Sequence, residues 1–165
     1  MIRKMELADI PRIAEIHVFG WRSAYRGIIS DEHLFTKLLV SKRITAFEKY
    51  IVSETSDTYV FDDGIIKAFL TIGKSTDEDT LNSFEVWGIY VDPFFKREGI
   101  GQKSIYFFEK IAIEQGFSKV CLWTLQKNTN ARSFYEKLGY LPDGKSKFLE
   151  DISAIQIRYA KTLTS

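Results

Sequence analysis

The residues with the clearest chemical meaning lie in a short turn that carries two glycines and two cations. The turn runs Lys96-Arg97-Glu98-Gly99-Ile100-Gly101, between an apolar strand predicted over Phe84–Val91 and a helix predicted over Ile100–Gln115. The first backbone N–H groups of a helix lack partners within it, and the helix dipole adds partial positive charge at the same place. We therefore expect this turn to bind an anion, most simply a phosphate group.

The spacing of the glycines excludes two other phosphate-binding motifs. A dinucleotide fingerprint has a third glycine three positions after the second, but Ser104 stands there. A P-loop has a glycine directly before its Lys-Ser pair, and here Gln102 precedes Lys103. The phosphate ligand is thus expected to belong to a different class.

The turn resembles the Q/R-x-x-G-x-G/A signature of the Gcn5-related N-acetyltransferases, the GNAT family. Lys96 replaces the preferred Gln or Arg. The resemblance implies that main-chain N–H groups of this loop hold the pyrophosphate of coenzyme A, and a lysine charge suits a phosphate. On this motif alone, an ordinary turn between a strand and a helix is the alternative explanation.

A second stretch gives the more specific match. Asn128-Thr129-Asn130-Ala131-Arg132-Ser133-Phe134-Tyr135-Glu136-Lys137-Leu138-Gly139-Tyr140 closely resembles the family pattern N-x-x-A-x-x-F-Y-E-K-x-G-F/Y. Together the motifs imply acetyl-CoA as co-substrate, with no metal. The residues that the resemblance places at acetyl-CoA are Ile89, Tyr90, Val91, Lys96, Arg97, Glu98, Gly99, Ile100, Gly101, Gln102, Lys103, Asn128, Asn130, Ser133, Phe134 and Lys137.

Acetyl transfer to an amine requires a base and an acid. A lysine-like amine, with a pKa of about 10.4, is protonated at neutral pH and must lose a proton before it can attack. The departing thiolate, with a pKa of about 8.5, leaves more easily when an acid donates to sulfur. The resemblance implies Tyr135 as this acid, with core packing as the alternative. Glu85, among apolar neighbours, is the candidate base because burial raises a carboxyl pKa, although a solvated glutamate is the alternative.

The region from Gly20 to Ser30 mixes aromatic residues, arginines and glycines, which suits a pocket wall. It resembles the region that lines the acceptor site in many GNAT enzymes, although aromatic core packing would explain it as well. We expect Trp21, Tyr25 and Trp87 to contact the acceptor. No acidic cluster stands out here, so the sequence does not support a preference for polyamines. His17, on an apolar helix face, is predicted to be a buried histidine with its hydrogen bonds satisfied.

The elements around these motifs are predicted in the order β-α-α-α-β-β-β-α-β-α-β-β, which is that of the GNAT fold. The fold class is α/β (α+β), a mixed sheet of six to seven strands with about four helices on both faces, in one domain over residues 1–165. The predicted elements are a strand at Met1–Met5, a helix capped by Asp9 that has a break or a close approach near Gly20 and frays or bends before Tyr25, helices at Asp31–Lys37 and Lys42–Ser53, a hairpin over Thr58–Gly73, a strand at Phe84–Val91, a helix at Ile100–Gln115, a strand at Lys119–Leu125, a helix from Asn128 or Asn130 to Leu138, and strands at Tyr140–Leu149 and Ser153–Thr162.

Two details of this prediction concern strand geometry. The strand-helix-strand unit makes Lys119–Leu125 parallel to Phe84–Val91. Regular alternation along Phe84–Val91 places Glu85, Trp87, Ile89 and Val91 on one face.

Composition limits the remaining possibilities. The chain has 165 residues, 45% of them hydrophobic, which is enough for one sizeable core. A formal net charge of +1 gives no polycationic surface for nucleic acid. No apolar run approaches the roughly 20 residues of a membrane span. A lone cysteine, Cys121, implies no internal disulfide and suits a buried position. We expect a cytoplasmic protein that binds no membrane, with a homodimer possible through exposed strand edges.

The function expected from the sequence is acetyl-CoA-dependent N-acetyl transfer to a primary amine of a small molecule, by direct attack in a ternary complex. Two alternatives stay open: a non-catalytic acyl-CoA-binding or sensing domain, and a protein or N-terminal acetyltransferase. The sequence identifies neither the acceptor nor the oligomeric state.

Overall fold

The structure is a computed structural model that describes residues 1–52 and 54–164. Its strands form one seven-stranded mixed sheet in the order β1-β2-β3-β4-β5-β7-β6. The strands are β1 (Ile2–Lys4), β2 (Ser56–Asp62), β3 (Ile66–Lys74), β4 (Phe84–Val91), β5 (Lys119–Leu125), β6 (Leu141–Leu149) and β7 (Ala154–Thr162), and the α-helices are α1 (Ile10–Tyr25), α2 (Val40–Tyr50), α3 (Ile100–Glu114) and α4 (Thr129–Lys137).

The junction between β4 and β5 is the one parallel pairing in the described sheet, as the strand-helix-strand order predicted. Its paired residues run from Phe84 to Val86 on β4 and from Val120 to Leu122 on β5. Beyond Val86, β4 continues to pair with β3 alone among the described strands. One backbone edge of β4 therefore faces β5 without a partner strand, and the sheet is open there.

A β-bulge interrupts β4 at Trp87. Ile72 of β3 pairs with Val86, while the preceding Thr71 pairs with Gly88, so Trp87 has no partner in the ladder. Because of this extra residue, the side chains after Trp87 lie on the opposite face of the sheet from the one that regular alternation predicts. Val86 and Ile89 consequently pack in the same core.

The predicted alternation of β4 is therefore wrong beyond Val86. Glu85 pairs with Gly73 and Tyr90 with Phe69, two β3 residues four positions apart, so Glu85 and Tyr90 share the face opposite Ile89. Hydrophobicity did not reveal the bulge because each residue of this strand is compatible with either face.

Apolar cores lie on both faces of the sheet, as expected. On one face α3 and α4 pack on the central strands, with buried residues that include Leu70, Ile72, Phe84, Val86, Ile105, Phe108, Leu122 and Tyr135. On the other face α1 and α2 pack on β2 and β3, with buried residues that include Ile10, Ile13, Ile16, Phe47, Val60 and Phe69. None of the helices in the described part of the chain is long and apolar enough to cross a membrane.

The helices near the N-terminus differ most from the prediction. Asp9 has a helical backbone, and its carboxylate accepts hydrogen bonds from Arg3 and the Glu6 N–H instead of capping α1. α1 runs through Gly20 without a break, and of the two alternatives predicted there the structure has the close approach, to the ring of Tyr90. The segment expected at Asp31–Lys37 contains a π-helical turn at His33–Lys37. The predicted end of the next helix, Ser53, lies outside the described residues.

Candidate active site

The opening between β4 and β5 lies between two helix starts. The turn after β4 leads into α3, and the turn after β5 leads into α4. Because β4 and β5 are parallel, both turns emerge at the same end of the sheet. Crevices beyond the carboxyl ends of parallel strands are common ligand sites in α/β folds. Both sequence motifs therefore meet at one opening.

The turn before α3 has the geometry of an anion cradle. Arg97 and Gly99 both have left-handed backbones, with φ of 68° and 75°. Gly99 is the N-cap of α3, and no side chain caps the helix. The N–H groups of the first turn are thus free for a ligand, and a phosphate would be favoured by their partial positive charge. Lys96, one of the adjoining cations, donates to Ser23 Oγ on α1 at 3.0 Å.

Gly101 joins the two motifs by packing. A Cβ at this position would lie 3.3 Å from Phe134 Cζ on α4 and 3.9 Å from Val91 on β4. The sequence predicts that the missing side chain at Gly101 leaves room for a phosphate. The structure shows that it also leaves room for the ring of Phe134. The starts of α3 and α4 can approach closely because Gly101 has no side chain.

Further residues expected at acetyl-CoA lie on the elements that border this opening, whereas Glu98 pairs with Lys67 and Lys103 lies over the ring of Phe61. Ile89, Tyr90 and Val91 lie on the part of β4 with a free edge. Asn128 is the N-cap of α4 and accepts from the Ala131 N–H at 3.2 Å. Asn130, Ser133 and Lys137 follow at helical spacing with exposed side chains.

Tyr135 lies in the core beneath the opening, with a relative exposure of 7%. Its ring packs near Phe134, Tyr140 and Tyr159, at centroid distances of 5.2, 6.2 and 6.2 Å. Burial raises the pKa of its hydroxyl well above the ordinary value, and the neighbouring Tyr90 adds to this shift. Within residues 1–52 and 54–164 no group donates a hydrogen bond to that hydroxyl, and none accepts one from it. The hydroxyl keeps its proton, and it remains available to a ligand.

A group of polar aromatic side chains connects α1 to this site. Trp21 Nε1 donates to the Tyr90 hydroxyl at 2.9 Å. The Tyr25 hydroxyl lies close enough to Tyr90, Tyr135 and Asn128 for each to affect its pKa, which burial raises strongly. Gly20 permits the approach of the helix, since a Cβ there would lie 3.3 Å from Tyr90 Cδ1. Tyr25 thus lies near Tyr135, and Trp21 is joined to the same group through its contacts with Tyr25 and Tyr90.

Glu85 lies elsewhere in the sheet. It pairs with Cys121 where β4 and β5 are still joined, on the face opposite the core that holds Tyr135. Burial raises the pKa of its carboxyl, Asp77 adds to the rise, and Ser75, Lys147 and Arg158 oppose it. The structure therefore gives Glu85 a raised pKa, and it does not place Glu85 in contact with Tyr135.

Trp87, at the bulge, is also separate from the tyrosines. Its ring would lie 3.2 Å from a Cβ at Gly73, so the indole packs directly against that glycine. It lines a cavity of about 430 Å³ between the starts of β2 and β4 and the end of β3. Trp21 and Tyr25 are not among the residues that line this cavity. The three residues expected at the acceptor thus divide between two places.

A charge cluster near Glu85 was not predicted. Arg158 on β7, only 3% exposed, forms ion pairs with Asp79 at 2.7 Å, Asp143 at 2.6 Å and Asp77 at 3.3 Å. Trp123 Nε1 donates to Asp77 at 2.9 Å. The sequence does not reveal this cluster, because Asp77 and Asp79 lie in the loop after β3 and Asp143 lies on β6, more than 60 positions further along the chain. The alternation of Ile155, Ile157 and Tyr159 places Arg158 on the opposite face of its strand, so the sequence pattern gave no signal that Arg158 is buried.

His17 is buried as expected, but its hydrogen bonding differs from the expectation. Its Nδ1 has no hydrogen-bond partner among the described residues. Burial, with a smaller contribution from Arg43, lowers its pKa to about 3. The imidazole is therefore neutral near pH 7 and packs near Trp21 and Tyr90. No cluster of metal-ligating side chains is found among residues 1–52 and 54–164.

These features define a class of protein: an α/β domain opened between two parallel strands, with an uncapped helix start on one side and a buried tyrosine on the other. The family model for the acetyltransferase (GNAT) family matches residues 11–140. The chain belongs to this family and is an N-acetyltransferase, which confirms the resemblance seen in its motifs.

Relatives agree in length and fold. The chain is 25% identical to the uncharacterized N-acetyltransferase YuaI of Bacillus subtilis, over 95% of this chain and 88% of the relative. It is 24% identical to a spermidine N(1)-acetyltransferase of Thermoplasma acidophilum, over 84% of this chain and 86% of the relative. The crystal structure of the PaiA N-acetyltransferase from Thermoplasma acidophilum, in complex with coenzyme A, superimposes with a TM-score of 0.72 at 21% identity, covering 99% and 98% of the two chains.

Proposed function

We propose that this N-acetyltransferase transfers the acetyl group of acetyl-CoA to a primary amine of a small molecule, by direct attack while both substrates are bound. The observation that carries the proposal is the free edge of β4 beside the uncapped start of α3. In coenzyme A a pyrophosphate joins the nucleoside to an arm that contains two amides and ends in the thiol. An anion cradle that continues into an unpaired strand edge offers partners to both groups.

The residues present fit this co-substrate. The N–H groups from Gly99 to Gln102 would hold the pyrophosphate, because the left-handed Gly99 leaves them unobstructed and no side chain caps them. The backbone of Ile89 to Val91 would pair with the amides, as a strand edge pairs with a peptide. When bound there, acetyl-CoA supplies a thioester carbon that an amine can attack.

Tyr135 is the proposed general acid. It would donate its proton to the departing sulfur, because its raised pKa keeps it protonated and its hydroxyl has no protein partner among the described residues. Glu85 is the proposed base. Its raised pKa makes it a stronger base than an ordinary carboxylate, and its distance from the tyrosine core favours transfer of the amine proton through water.

A small amine is the preferred acceptor. The relative named as a spermidine N(1)-acetyltransferase supports this choice, since it covers most of the chain. The carboxylates Asp77, Asp79 and Asp143 lie on the Glu85 side, but Arg158 and Lys147 neutralise much of their charge. The charges of the site therefore allow a monoamine as readily as a polyamine.

The test is release of free thiol from acetyl-CoA in the presence of four amines: spermidine, benzylamine, an amino acid amide and a peptide with a free N-terminus. Thiol release with at least one of the small amines, accompanied by an acetylated product in mass spectrometry, is the expected result. Release with the peptide alone would favour a protein acetyltransferase. Calorimetric binding of acetyl-CoA without any release would favour a sensing domain, and either result would overturn the proposal.

A further inference from the structure

Arg43, on α2, has a guanidinium without a protein partner. Within residues 1–52 and 54–164 it makes no ion pair and no hydrogen bond, and its Nε atom is buried. A buried N–H without an acceptor is costly, because its lost hydrogen bond with water is not replaced. The helix cannot supply a carboxylate, since the residues three and four positions away on either side are Leu39, Val40, Ala46 and Phe47.

The other arginines are used differently. Outside the turn that carries Arg97, each of them donates to an oxygen atom of the described chain, and the acceptors are Asp9 for Arg3, Asp92 for Arg12, the Leu34 carbonyl for Arg22, Asp31 for Arg26, the Gln126 carbonyl for Arg132 and Asp79 for Arg158. Arg43 instead has its Cζ 5.2 Å from the centre of the Phe47 ring. This contact orients the guanidinium and occupies none of its N–H groups.

A second unpartnered polar group lies beside the same ring. His17 is 6% exposed, and its Nδ1 has no hydrogen-bond partner among the described residues. Its ring centroid is 6.3 Å from that of Phe47 and 4.9 Å from that of Tyr90. Tyr90 belongs to the part of β4 with the free edge. The cluster of Arg43, Phe47, His17 and Tyr90 therefore adjoins the strand segment at which the acetyl-CoA arm is proposed to pair.

We infer that Arg43 binds an anionic group of the acceptor, a carboxylate or a phosphate, so that the preferred substrate is a primary amine that also carries negative charge. The inference rests on the proposed function and deepens it by naming the class of amine. The Nε and one Nη of a guanidinium form a planar fork that matches two oxygen atoms of such a group. The Nδ1 of His17 offers one more hydrogen-bonding atom in the same cluster.

The surroundings of Arg43 leave its charge uncompensated. Burial lowers the pKa of His17 to about 3, with a smaller contribution from Arg43, so the imidazole is neutral at pH 7. The rings that pack around His17 are also uncharged, and they belong to Trp21, Phe47, Phe69 and Tyr90. An unpaired cation attracts an anionic group and repels a second ammonium group on the acceptor. Arg43 thus favours an aminocarboxylate or an amino phosphate over a polyamine.

The test measures kcat/KM for pairs of amines that differ in one charged group, at saturating acetyl-CoA. Glycine, β-alanine and γ-aminobutyrate are each compared with their amides, and phosphoethanolamine is compared with ethanolamine. In the wild type at least one anionic amine should be preferred to its neutral counterpart. Arg43→Met should lower kcat/KM for that anionic amine about 10-fold or more, mainly through KM, and leave the neutral counterpart nearly unchanged. Comparing each pair in both proteins cancels the difference in basicity between the two amino groups.

Two further variants separate ligand binding from other effects. Lys42→Met removes an exposed positive charge from the same helix and should leave the preference unchanged. Arg43→Lys keeps a charge without the planar fork, so it should lose part of the preference. Because Arg43 has no partner in the described chain, Arg43→Met should melt no lower than the wild type. If it does melt lower, Arg43→Lys carries the comparison.

The outcomes distinguish this inference from the proposed function. A preference for phosphoethanolamine or for a carboxylate, lost in Arg43→Met, supports the inference and identifies the anion. An equal loss for anionic and neutral amines in Arg43→Met would show a structural role and overturn it. A wild-type enzyme that acetylates spermidine or benzylamine and no anionic amine would also overturn it, while the proposed function would stand. Binding of acetyl-CoA without thiol release for any amine is the result that would overturn the proposed function itself.

Discussion

Tyr135 combines a hydroxyl that stays protonated with a ring that packs in the core. The substitution Tyr135→Phe removes one oxygen and keeps the ring contacts with Phe134, Tyr140 and Tyr159. If the hydroxyl protonates the leaving thiolate, kcat should fall about 10²-fold or more. Acetyl-CoA affinity and thermal stability should change little, because the loop before α3 is untouched.

Tyr140→Phe is the control for this variant. Tyr140 lies in the same core, and its hydroxyl donates to Glu109 at 3.0 Å. Loss of the Tyr140 hydroxyl should reduce the free energy of unfolding by about 1.5–3 kcal/mol, as for hydrogen bonds to charged groups, and it should leave kcat unchanged. A full rate in Tyr135→Phe would remove this hydroxyl from the mechanism.

The pH dependence of turnover tests the role of Glu85. Glu85→Gln should depress turnover at neutral pH, where most of the amine is protonated and needs a base. Part of the loss should be recovered at high pH, where the amine is already neutral. An equal loss at every pH would indicate that Glu85 positions or packs instead.

The stability of the same variant has a predictable sign. Because burial raises the pKa of Glu85 above its unfolded value, the ionised carboxylate is less favourable in the folded state. Wild-type Glu85 therefore destabilises the fold above the raised pKa, and this effect disappears below the unfolded value of about 4.3. Glu85→Gln should raise the free energy of unfolding at pH 7 relative to wild type and show no such gain at pH 3. Urea denaturation at the two pH values measures the difference, and a gain that persists at pH 3 would contradict a charge effect.

At the scale of elements, the ends of α3 allow a matched comparison of two glycines. Gly99 and Gly116 have φ of 75° and 85°, and neither would bring a Cβ within 4 Å of another residue. Alanine at either position should cost about 1–2 kcal/mol through left-handed backbone strain. Only Gly99→Ala should also weaken acetyl-CoA binding in calorimetry, because Gly99 alone adjoins the proposed phosphate cradle. Equal affinity in the two variants would exclude the loop as the pyrophosphate site.

The elements themselves could largely be predicted from the sequence. β4 and β5 have the predicted bounds, because continuous apolar runs between turn residues define buried strands well. The bulge at Trp87 could not be predicted, since it depends on register with β3 and leaves no mark in hydrophobicity. Because of the bulge at Trp87, Glu85 shares a face with Tyr90 and not with Ile89. The error in the predicted faces of β4 therefore also misplaced Glu85 relative to the other candidate site residues.

At the scale of the molecule, motif residues could be found from sequence, and the contacts between distant segments could not. Tyr135 and the loop from Lys96 are recognisable because their neighbours in sequence carry the pattern. The network that joins Trp21 to Tyr90 spans 69 positions, and the contact between Arg158 and Asp79 spans 79. The sequence around Trp21 or Arg158 does not identify the residue that each one contacts, because a lone tryptophan or arginine has many possible neighbours until the order of the strands is known.

Arg158 holds together three parts of the chain on the Glu85 side of the sheet. It pairs with Asp77 and Asp79 in the loop after β3 and with Asp143 on β6. Because Asp79 is partly exposed, Arg158→Met should lower the free energy of unfolding at pH 7 by about 3 kcal/mol, the lower end of the range for breaking a buried pair. Arg3, which pairs with Asp9 and Asp62 but is 28% exposed, is the control, and Arg3→Met should lower the free energy of unfolding by much less than Arg158→Met does.

The pH dependence of the stability lost in Arg158→Met shows whether the charge of Arg158 is its cause. The hydrogen bond with Arg158 holds the pKa of Asp79 well below its ordinary value. A lowered carboxyl pKa stabilises the fold above the unfolded value of about 3.9, and the stabilisation disappears as pH falls through the folded pKa. The difference between wild type and Arg158→Met should therefore be largest near pH 7 and shrink as the pH is lowered below 4. Chemical denaturation at pH 7 and at pH 3 measures the difference at each pH. The guanidinium carbon of Arg158 also lies 5.6 Å from the centre of the Trp123 ring, and an undiminished difference at pH 3 would show that Arg158 stabilises the fold through this contact instead of through its carboxylate partners.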